Sequence, residues 1–181
     1  KDYFEARPAE SLFTTPVAVC RVVRSLAYEK RMVVSAEKSV DVNGHELAWH
    51  WTVLRGDAER IRITPQNDKG SVVELRVPYH ERGPIRPGAK LTSHRVDIGV
   101  FVHNGTHYSA PGFISFHYMS DEERTYDAQN RIAAVTYTSP AKGGPYADPQ
   151  LHTFRAWRDE YHYADGRLTG WTRIRGDDRQ E

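Results

Sequence analysis

The stretch that decides the fold runs from Ser39 to Asp57 and reads SVDVNGHELAWHWTVLRGD. Its Asn43-Gly44 pair tolerates positive φ and predicts a turn. After the turn, apolar residues alternate with small or polar ones at the two-residue period of a β-strand. The apolar positions are Leu47, Trp49, Trp51 and Val53, and between them stand Ala48, His50 and Thr52. Each indole buries about 150–250 Å², so we expect this segment to be the central core strand of a β-sandwich.

Further alternating segments indicate that most of the chain is built from strands. Short apolar runs separated by turn residues predict strands at 17–23, 31–35, 60–64, 71–79, 96–102 and 108–119. The polar segment from Arg24 to Lys30 has room for one helical turn. The segment from Glu81 to Leu91, with two prolines and two glycines, is the expected irregular loop. Seven or so strands without a persuasive amphipathic helix favour an all-β sandwich over an α/β fold.

One run of residues resembles the signature of polycystic kidney disease (PKD) domains, which is Ser-x-Asp-x-x-Gly-x-x-Leu-x-aromatic-x-Trp. The matching residues are Ser39, Asp41, Asn43-Gly44, Leu47, Trp49 and Trp51. Where that family continues with a Phe-Gly-Asp-Gly turn, this chain has Val53-Leu54-Arg55-Gly56-Asp57, so the following loop differs. The resemblance extends over residues of about 12–119. It implies an immunoglobulin-like antiparallel β-sandwich that serves as a spacer or binding module, often in secreted or surface proteins.

The character of the chain changes after Ser120. Two passages, 124–132 and 161–168, each place an aromatic strand before a polar turn and then an Arg with an aliphatic residue. They predict two β-hairpins, with turns at Gln129-Asn130 and Asp165-Gly166. They resemble the tyrosine-aspartate (YD) repeats of bacterial wall-associated and toxin shell proteins. A single hairpin is marginally stable, so we expect the two to pair with each other or to pack on the sandwich as a small appended sheet.

These segments divide the chain into three parts. Residues 1–16 are polar and contain two prolines, which suits a linker or N-terminal extension. Residues 17–119 form the PKD-like sandwich, and residues 120–181 form the β-hairpin appendage, interrupted by a Gly- and Pro-rich stretch at 140–149. The chain starts at Lys1 without a signal peptide. We therefore expect a piece of a longer protein whose targeting segment lies elsewhere.

Composition limits the classes of partner. The 25 Lys and Arg residues against 24 Asp and Glu leave a formal charge of +1, and the two signs are interleaved, so we expect no nucleic-acid partner. No apolar run approaches the roughly 20 residues of a membrane span. The single cysteine, Cys20, excludes an internal disulfide and is expected to be a buried strand residue.

Four local motifs have both a chemical and a structural interpretation. They are the histidines His103, His107 and His117, the tripeptide Arg55-Gly56-Asp57, the sequon Asn104-Gly105-Thr106, and the side-chain oxygens of Asp41 and Asn43. The histidines lack a carboxylate at ligand spacing, the Gly-containing motifs suit turns, and calcium needs about six to eight oxygens. No nucleophile or phosphate-loop motif is present. We therefore predict no metal, no cofactor and no enzymatic activity.

The candidate binding residues are the aromatic set Trp157, Tyr161, Tyr163 and Trp171. The first three are separated by four and two residues, and this even spacing places them on one face of a strand. Such a face can pack against a neighbouring domain or stack sugar rings. We therefore expect a non-catalytic structural or protein-interaction module of a secreted or cell-surface bacterial protein, located outside the cell or in the periplasm. Its partners would be other domains or subunits. The alternative is a carbohydrate-contacting accessory module of a secreted glycan-degrading enzyme, with a polysaccharide as partner.

Overall fold

The computed structural model describes residues 15, 17–139, 155–176 and 178–180. Within these ranges the chain forms strands and turns and contains no helix. The strands are β1 (Ala18–Val22), β2 (Glu29–Ser35), β3 (Ala48–Arg55), β4 (Arg62–Pro65), β5 (Val72–Pro78), β6 (Gly83–Pro84), β7 (Thr92–Ser93), β8 (Val96–His103), β9 (Gly112–His117), β10 (Glu122–Tyr126), β11 (Ile132–Tyr137), β12 (Trp157–Ala164), β13 (Arg167–Arg175) and β14 (Asp178–Gln180). The linker predicted at 1–16 and the Gly- and Pro-rich stretch at 140–149 lie almost wholly outside the described residues.

Two sheets form the β-sandwich. The first sheet has the strand order β1-β9-β8-β3, and the second has the order β2-β5-β4. All pairings are antiparallel except the parallel pairing of β1 with β9. This division of strands between two sheets is immunoglobulin-like. The prediction of an all-β sandwich is therefore confirmed.

The core lies between the central strands of the two sheets. Val73, Leu75 and Val77 of β5 face Val96 and Ile98 of β8, and all five side chains are fully buried. Their alternation along each strand follows from the two-residue period, which places every second side chain in the core. The strand predicted at 71–79 is confirmed as β5.

The strand that carries the two tryptophans lies at an edge of the first sheet, because β3 pairs only with β8 among the described strands. Its apolar face does turn inward, and Trp51 and Val53 pack against the core. The Trp49 indole donates a hydrogen bond of 3.2 Å to the carbonyl of Ala36, and the Trp51 indole donates one of 2.9 Å to the carbonyl of Gly70. The predicted face is confirmed, but the predicted central position is wrong. Hydrogen bonds across to the loops flanking β2 and β5 stabilise the strand at the edge.

Two predicted connections differ from the structure. The segment 24–30 contains no helical turn, because β2 begins at Glu29 and the Lys30 ammonium donates to the carbonyls of Ser25 and Ala27 at 2.9 and 2.6 Å. Burial lowers the pKa of Lys30 to about 8. The loop predicted at 81–91 carries the short strand β6, which pairs with β7. Backbone hydrogen bonds thus order a segment that composition alone assigns to irregular structure.

The remaining strands form one antiparallel sheet in the order β10-β11-β12-β13-β14, here called the terminal sheet. The Asp165-Gly166 turn has φ angles of 50° and 76°, as a type I′ hairpin requires. Asn130 has a φ of 59° in the other turn, where the Asp127 carboxylate accepts hydrogen bonds from the backbone of Gln129 and Arg131. Because β11 pairs with β12, the two predicted hairpins pair with each other.

A buried arginine joins the terminal sheet to the sandwich. The Arg124 side chain of β10 is 1% exposed and forms an ion pair with Glu122. Its guanidinium donates to the carbonyls of Ser25 at 2.7 Å and Val23 at 3.2 Å. The Arg124 guanidinium also lies 5.2 Å from the centre of the Tyr118 ring. This side chain therefore satisfies backbone acceptors of the sandwich from a strand of the neighbouring sheet.

An aromatic cluster surrounds this junction. Tyr126 of β10 packs against Tyr28 and Tyr79 of the sandwich, with ring centres 5.1 and 5.3 Å away. The Tyr79 hydroxyl accepts a hydrogen bond from the Arg124 backbone and lies 3.3 Å from Nδ1 of His94. Burial lowers the pKa of His94 and raises the pKa of Tyr79 to about 12. Edge-to-face and tilted ring pairs of this kind add to the energy of area burial.

Candidate functional site

The four predicted aromatic residues lie on β12 and β13 of the terminal sheet. Tyr161 is in register with Trp171, and Trp157 and Tyr163 occupy alternate positions of the same strand as Tyr161. The Trp157 ring stacks on Tyr137 of β11, with centres 4.5 Å apart and planes inclined by 32°. The shared face predicted from the even spacing of Trp157, Tyr161 and Tyr163 therefore corresponds to the strand geometry.

An arginine fills the space between the two indoles. The Arg173 guanidinium lies 4.8 Å from the ring centres of both Trp157 and Trp171. Its nitrogens donate two hydrogen bonds, of 2.8 and 2.9 Å, to the buried carboxylate of Asp159. These hydrogen bonds raise the pKa of the guanidinium, which stays charged. Arg173 and Asp159 were not predicted from the sequence, although each stands two positions from a predicted tryptophan and so shares its face.

Tyr163 occupies the other end of β12. Its hydroxyl donates to the carbonyl of Ile132 at 3.1 Å, and the Arg131 guanidinium lies 4.5 Å above its ring. Protein groups thus cover ring faces of Trp157 and Tyr163, whereas Trp171 is 43% exposed. Trp171 is the most exposed of the four aromatic residues, although the Arg173 guanidinium lies over its ring.

A second candidate site is a cleft of about 700 Å³ at one end of the sandwich. It opens where the two sheets separate, between the start of β1, the end of β2, the end of β8 and the start of β9. Its walls are mostly aliphatic and aromatic, and include Val19, Val34, Trp51, Val100 and Ile114. Apolar walls with polar groups at the rim are typical of pockets that bind ligands or partner side chains.

Exposed apolar side chains surround the mouth of this cleft. Eleven large apolar side chains of the described residues are exposed, and five of these line the cleft. They are Val17, Val19, Val40, Tyr108 and Phe113. Val42, which is 95% exposed, lies in the same loop as Val40. Such a concentration of exposed apolar groups at one end of a domain is a mark of an interaction surface.

Asp41 holds the two loops at the mouth together. Its Oδ1 accepts hydrogen bonds from the backbone of Asn43 and His45, and its Oδ2 accepts one of 2.8 Å from the Asn104 amide. The hydrogen bonds from Asn104 and His45 hold the pKa of the Asp41 carboxyl well below its usual range. The side-chain Oδ1 of Asn104 accepts hydrogen bonds from the backbone amides of Thr106 and His107. The residues of the calcium and sequon motifs therefore serve as a link between the β2–β3 and β8–β9 loops.

The other local motifs also have structural partners. The Tyr108 ring lies 4.5 Å from His103 and 5.2 Å from His50, between ring centres. No group of three or more His, Cys, Asp or Glu side chains in the described ranges is placed to hold a metal ion. At Gly56 of the Arg-Gly-Asp tripeptide, φ is 112°, and the following amide, of Asp57, donates to Nε2 of His80 at 3.0 Å. Arg55 thus ends β3, the backbone bends at Gly56 beside the core, and a turn follows from Asp57.

Sequence reasoning did not find the cleft. The valines that line it alternate as core residues do, and the alternation predicts only that they face the other sheet. Whether that space is filled depends on how far the sheets separate at their ends, which is a long-range property.

In the part of the chain that the structure describes, no helix is long and apolar enough to cross a membrane.

Comparison of the chain with protein-family models, with curated proteins and with solved structures finds no match. The resemblances to PKD domains and to YD repeats therefore rest on the residues quoted above. Function has to be argued from the geometry of the cleft and of the terminal sheet.

Proposed function

We propose that this chain is a non-catalytic structural and protein-interaction module of a larger bacterial protein that is secreted or exposed on the cell surface. Its partner is another protein domain or subunit, which docks at the open end of the sandwich. The proposal rests on the apolar cleft and the exposed apolar side chains at its mouth. The resemblance of the Ser39–Trp51 run to PKD domains supports the extracellular assignment.

The chemistry of the cleft suits a protein partner. Its walls offer apolar surface, which contributes about 25 cal/mol for each Å² removed from water. At its rim, Lys38, Asp41 and Asn104 provide charged and polar groups. An apolar centre with a polar rim is the usual arrangement of a protein–protein interface. The Asp41–Asn104 hydrogen bond preorganises two rim loops, which lowers the entropic cost of docking.

Site-specific photo-crosslinking tests the proposal. A photoreactive phenylalanine analogue is placed at Val40 or at Tyr108, which lie at the mouth, and the chain is expressed in the bacterium that produces it. Both positions should crosslink to the same protein, which is then identified by mass spectrometry and purified. The same analogue at Val33, on the outer face of β2, should give no such product.

Binding of the purified partner provides the quantitative test. Val19→Lys places an ammonium at the mouth, and we expect it to weaken binding at least tenfold because the charge must lose water on docking. Val33→Lys is the matched control, since Val33 is also an exposed valine of an edge strand, 48% exposed against 39% for Val19. Equal affinities of the two lysine variants would refute docking at the cleft, as would crosslinks of equal yield from all three positions.

A further inference from the structure

The dipeptide Asn-Gly occurs twice in the chain, once in each of the two loops that Asp41 holds together. Asn43-Gly44 lies in the β2–β3 loop, and Asn104-Gly105 lies in the β8–β9 loop. An asparagine followed by glycine converts readily to aspartate, because glycine has no side chain to hinder attack of its backbone nitrogen on the preceding side-chain amide. The two copies in one fold allow the reactivity of one to be judged against the other.

The side-chain amide of Asn104 is held on both its oxygen and its nitrogen. Its Oδ1 accepts hydrogen bonds of 3.1 and 2.8 Å from the backbone amides of Thr106 and His107. Its Nδ2 donates one of 2.8 Å to the Asp41 carboxylate. The residue is half-buried. Rotation of the amide towards the Gly105 nitrogen would break these three hydrogen bonds, so we expect the fold to protect this copy.

The side-chain amide of Asn43 has no such restraint. The residue is exposed, and its amide has no hydrogen-bond partner among the residues that the structure describes. A Cβ at Gly44 would meet no heavy atom within 4 Å. The Gly44 N–H donates to the Asp41 carbonyl at 3.0 Å, and the Gly105 N–H donates to Nδ1 of His103 at 3.2 Å. The two backbone nitrogens are similarly engaged, so the difference between the copies lies in the side-chain amides.

We propose that Asn43 is a self-modification site, which converts to aspartate or isoaspartate and thereby loosens the Asp41 link at the mouth of the cleft. The Gly44 nitrogen gives up its proton and bonds to Cγ of Asn43, the bond from Cγ to the side-chain nitrogen breaks, and ammonia leaves with that proton. A solvent water then opens the resulting succinimide ring. Hydrolysis at Cγ gives aspartate. Hydrolysis at the backbone carbonyl gives isoaspartate, in which the main chain runs through the former side chain.

Both products change the surroundings of Asp41. Its Oδ1 accepts hydrogen bonds from the backbone of Asn43 and His45, at 2.8 and 3.3 Å, and lies 2.8 Å from Nδ1 of His45. Either product places a second carboxylate near that of Asp41, and like charges repel. Isoaspartate also adds a methylene to the main chain before Gly44, which displaces His45 and weakens the hold on the oxygen pair that accepts the Asn104 amide. The modification needs no partner, so it is independent of the docking proposed above.

Mass spectrometry of the aged chain tests the proposal. The chain is incubated at pH 8 and 37 °C and digested, and electron-transfer fragmentation of its peptides distinguishes aspartate from isoaspartate at each site. Asn43 should convert at least about tenfold faster than Asn104, because only Asn104 must first lose three side-chain hydrogen bonds. In urea the two should convert at comparable rates, since unfolding removes the protection. Equal rates in the folded chain, or a difference that persists in urea, would overturn the proposal.

Two variants test the effect on the Asp41 link. Asn43→Gln keeps an amide but has to close a larger ring, which is far slower, so it should stay unmodified through the same incubation. Asn43→Asp carries the added charge on an unaltered main chain. The NMR resonances of the Asn104 side-chain amide should shift in the aged chain, shift less in Asn43→Asp and stay unchanged in aged Asn43→Gln. Unshifted Asn104 resonances in the converted chain, or the same shift in aged Asn43→Gln, would overturn the proposal.

Discussion

The most direct test of the architecture is to remove the charge of Arg124, which links the terminal sheet to the sandwich. Arg124→Met keeps a long side chain and deletes the guanidinium. The substitution leaves Glu122, whose side chain is 9% exposed, as an unpaired buried carboxylate. It also leaves the carbonyls of Ser25 and Val23 without this donor. We therefore expect a large loss of stability.

The magnitude follows from the burial of the pair. Removing one partner of a buried ion pair costs about 3–5 kcal/mol, because the remaining charge stays out of water. Hydrogen bonds to charged groups contribute about 1.5–3 kcal/mol each, but they belong to the same network and do not add fully. We expect Arg124→Met to lower the free energy of unfolding by about 3–5 kcal/mol. That is a large part of the roughly 5–15 kcal/mol available to a domain.

Equilibrium unfolding in urea at pH 7, followed by circular dichroism and tryptophan fluorescence, measures this loss. The double variant Glu122→Gln with Arg124→Met should lose less than Arg124→Met alone, since no charge then remains buried. Arg158→Met is the control, because the Arg158–Glu160 pair is exposed and should contribute less than about 1 kcal/mol. A loss below about 1 kcal/mol for Arg124→Met would refute the assignment of Arg124 as the buried link.

Two further predictions concern pH and backbone conformation. Burial lowers the pKa of His94 below that of an unfolded histidine, about 6.5. Below pH 6.5 the unfolded chain therefore binds a proton that the folded chain does not. Urea unfolding should show a lower free energy of unfolding at pH 5 than at pH 7.5 and a smaller difference in His94→Gln; an unchanged difference would contradict the prediction. Gly56 has a φ of 112°, and a Cβ there would lie 3.2 Å from Ile61, so Gly56→Ala should lower the free energy of unfolding by about 1–3 kcal/mol. Gly44 has a φ of 77° with open space around it, so Gly44→Ala should lower it by less. Equal unfolding midpoints of the two variants in urea would show that crowding at Gly56 is unimportant.

The local features of the fold follow from local chemistry. Alternation at a two-residue period predicted the strands of the sandwich, because that period is a property of the extended backbone itself. The Asp165-Gly166 pair predicted its hairpin, since only a few residues accept the positive φ that both turn positions adopt. The aromatic positions of β12 likewise came from spacing alone. The polar segment 24–30 had room for a helical turn but forms none, because β2 begins at Glu29 and pairs with β5.

The candidate sites were predictable only in part. Sequence spacing identified Trp157, Tyr161 and Tyr163 as one face, but not the Arg173 guanidinium between two indoles, because that contact joins neighbouring strands. The cleft was not predicted at all, because it depends on how the two sheets lie relative to each other at their ends.

By itself, the sequence determined which segments are strands, where the chain turns and which side chains face inward, since these depend on neighbours within a few residues. Only the tertiary structure decided that β3 lies at an edge, that β1 runs parallel to β9, and that Arg124 is buried. Each of these depends on which distant strands pair and how closely the sheets approach. Pairing is decided by the summed burial and hydrogen bonding of the whole chain, so no single segment encodes it.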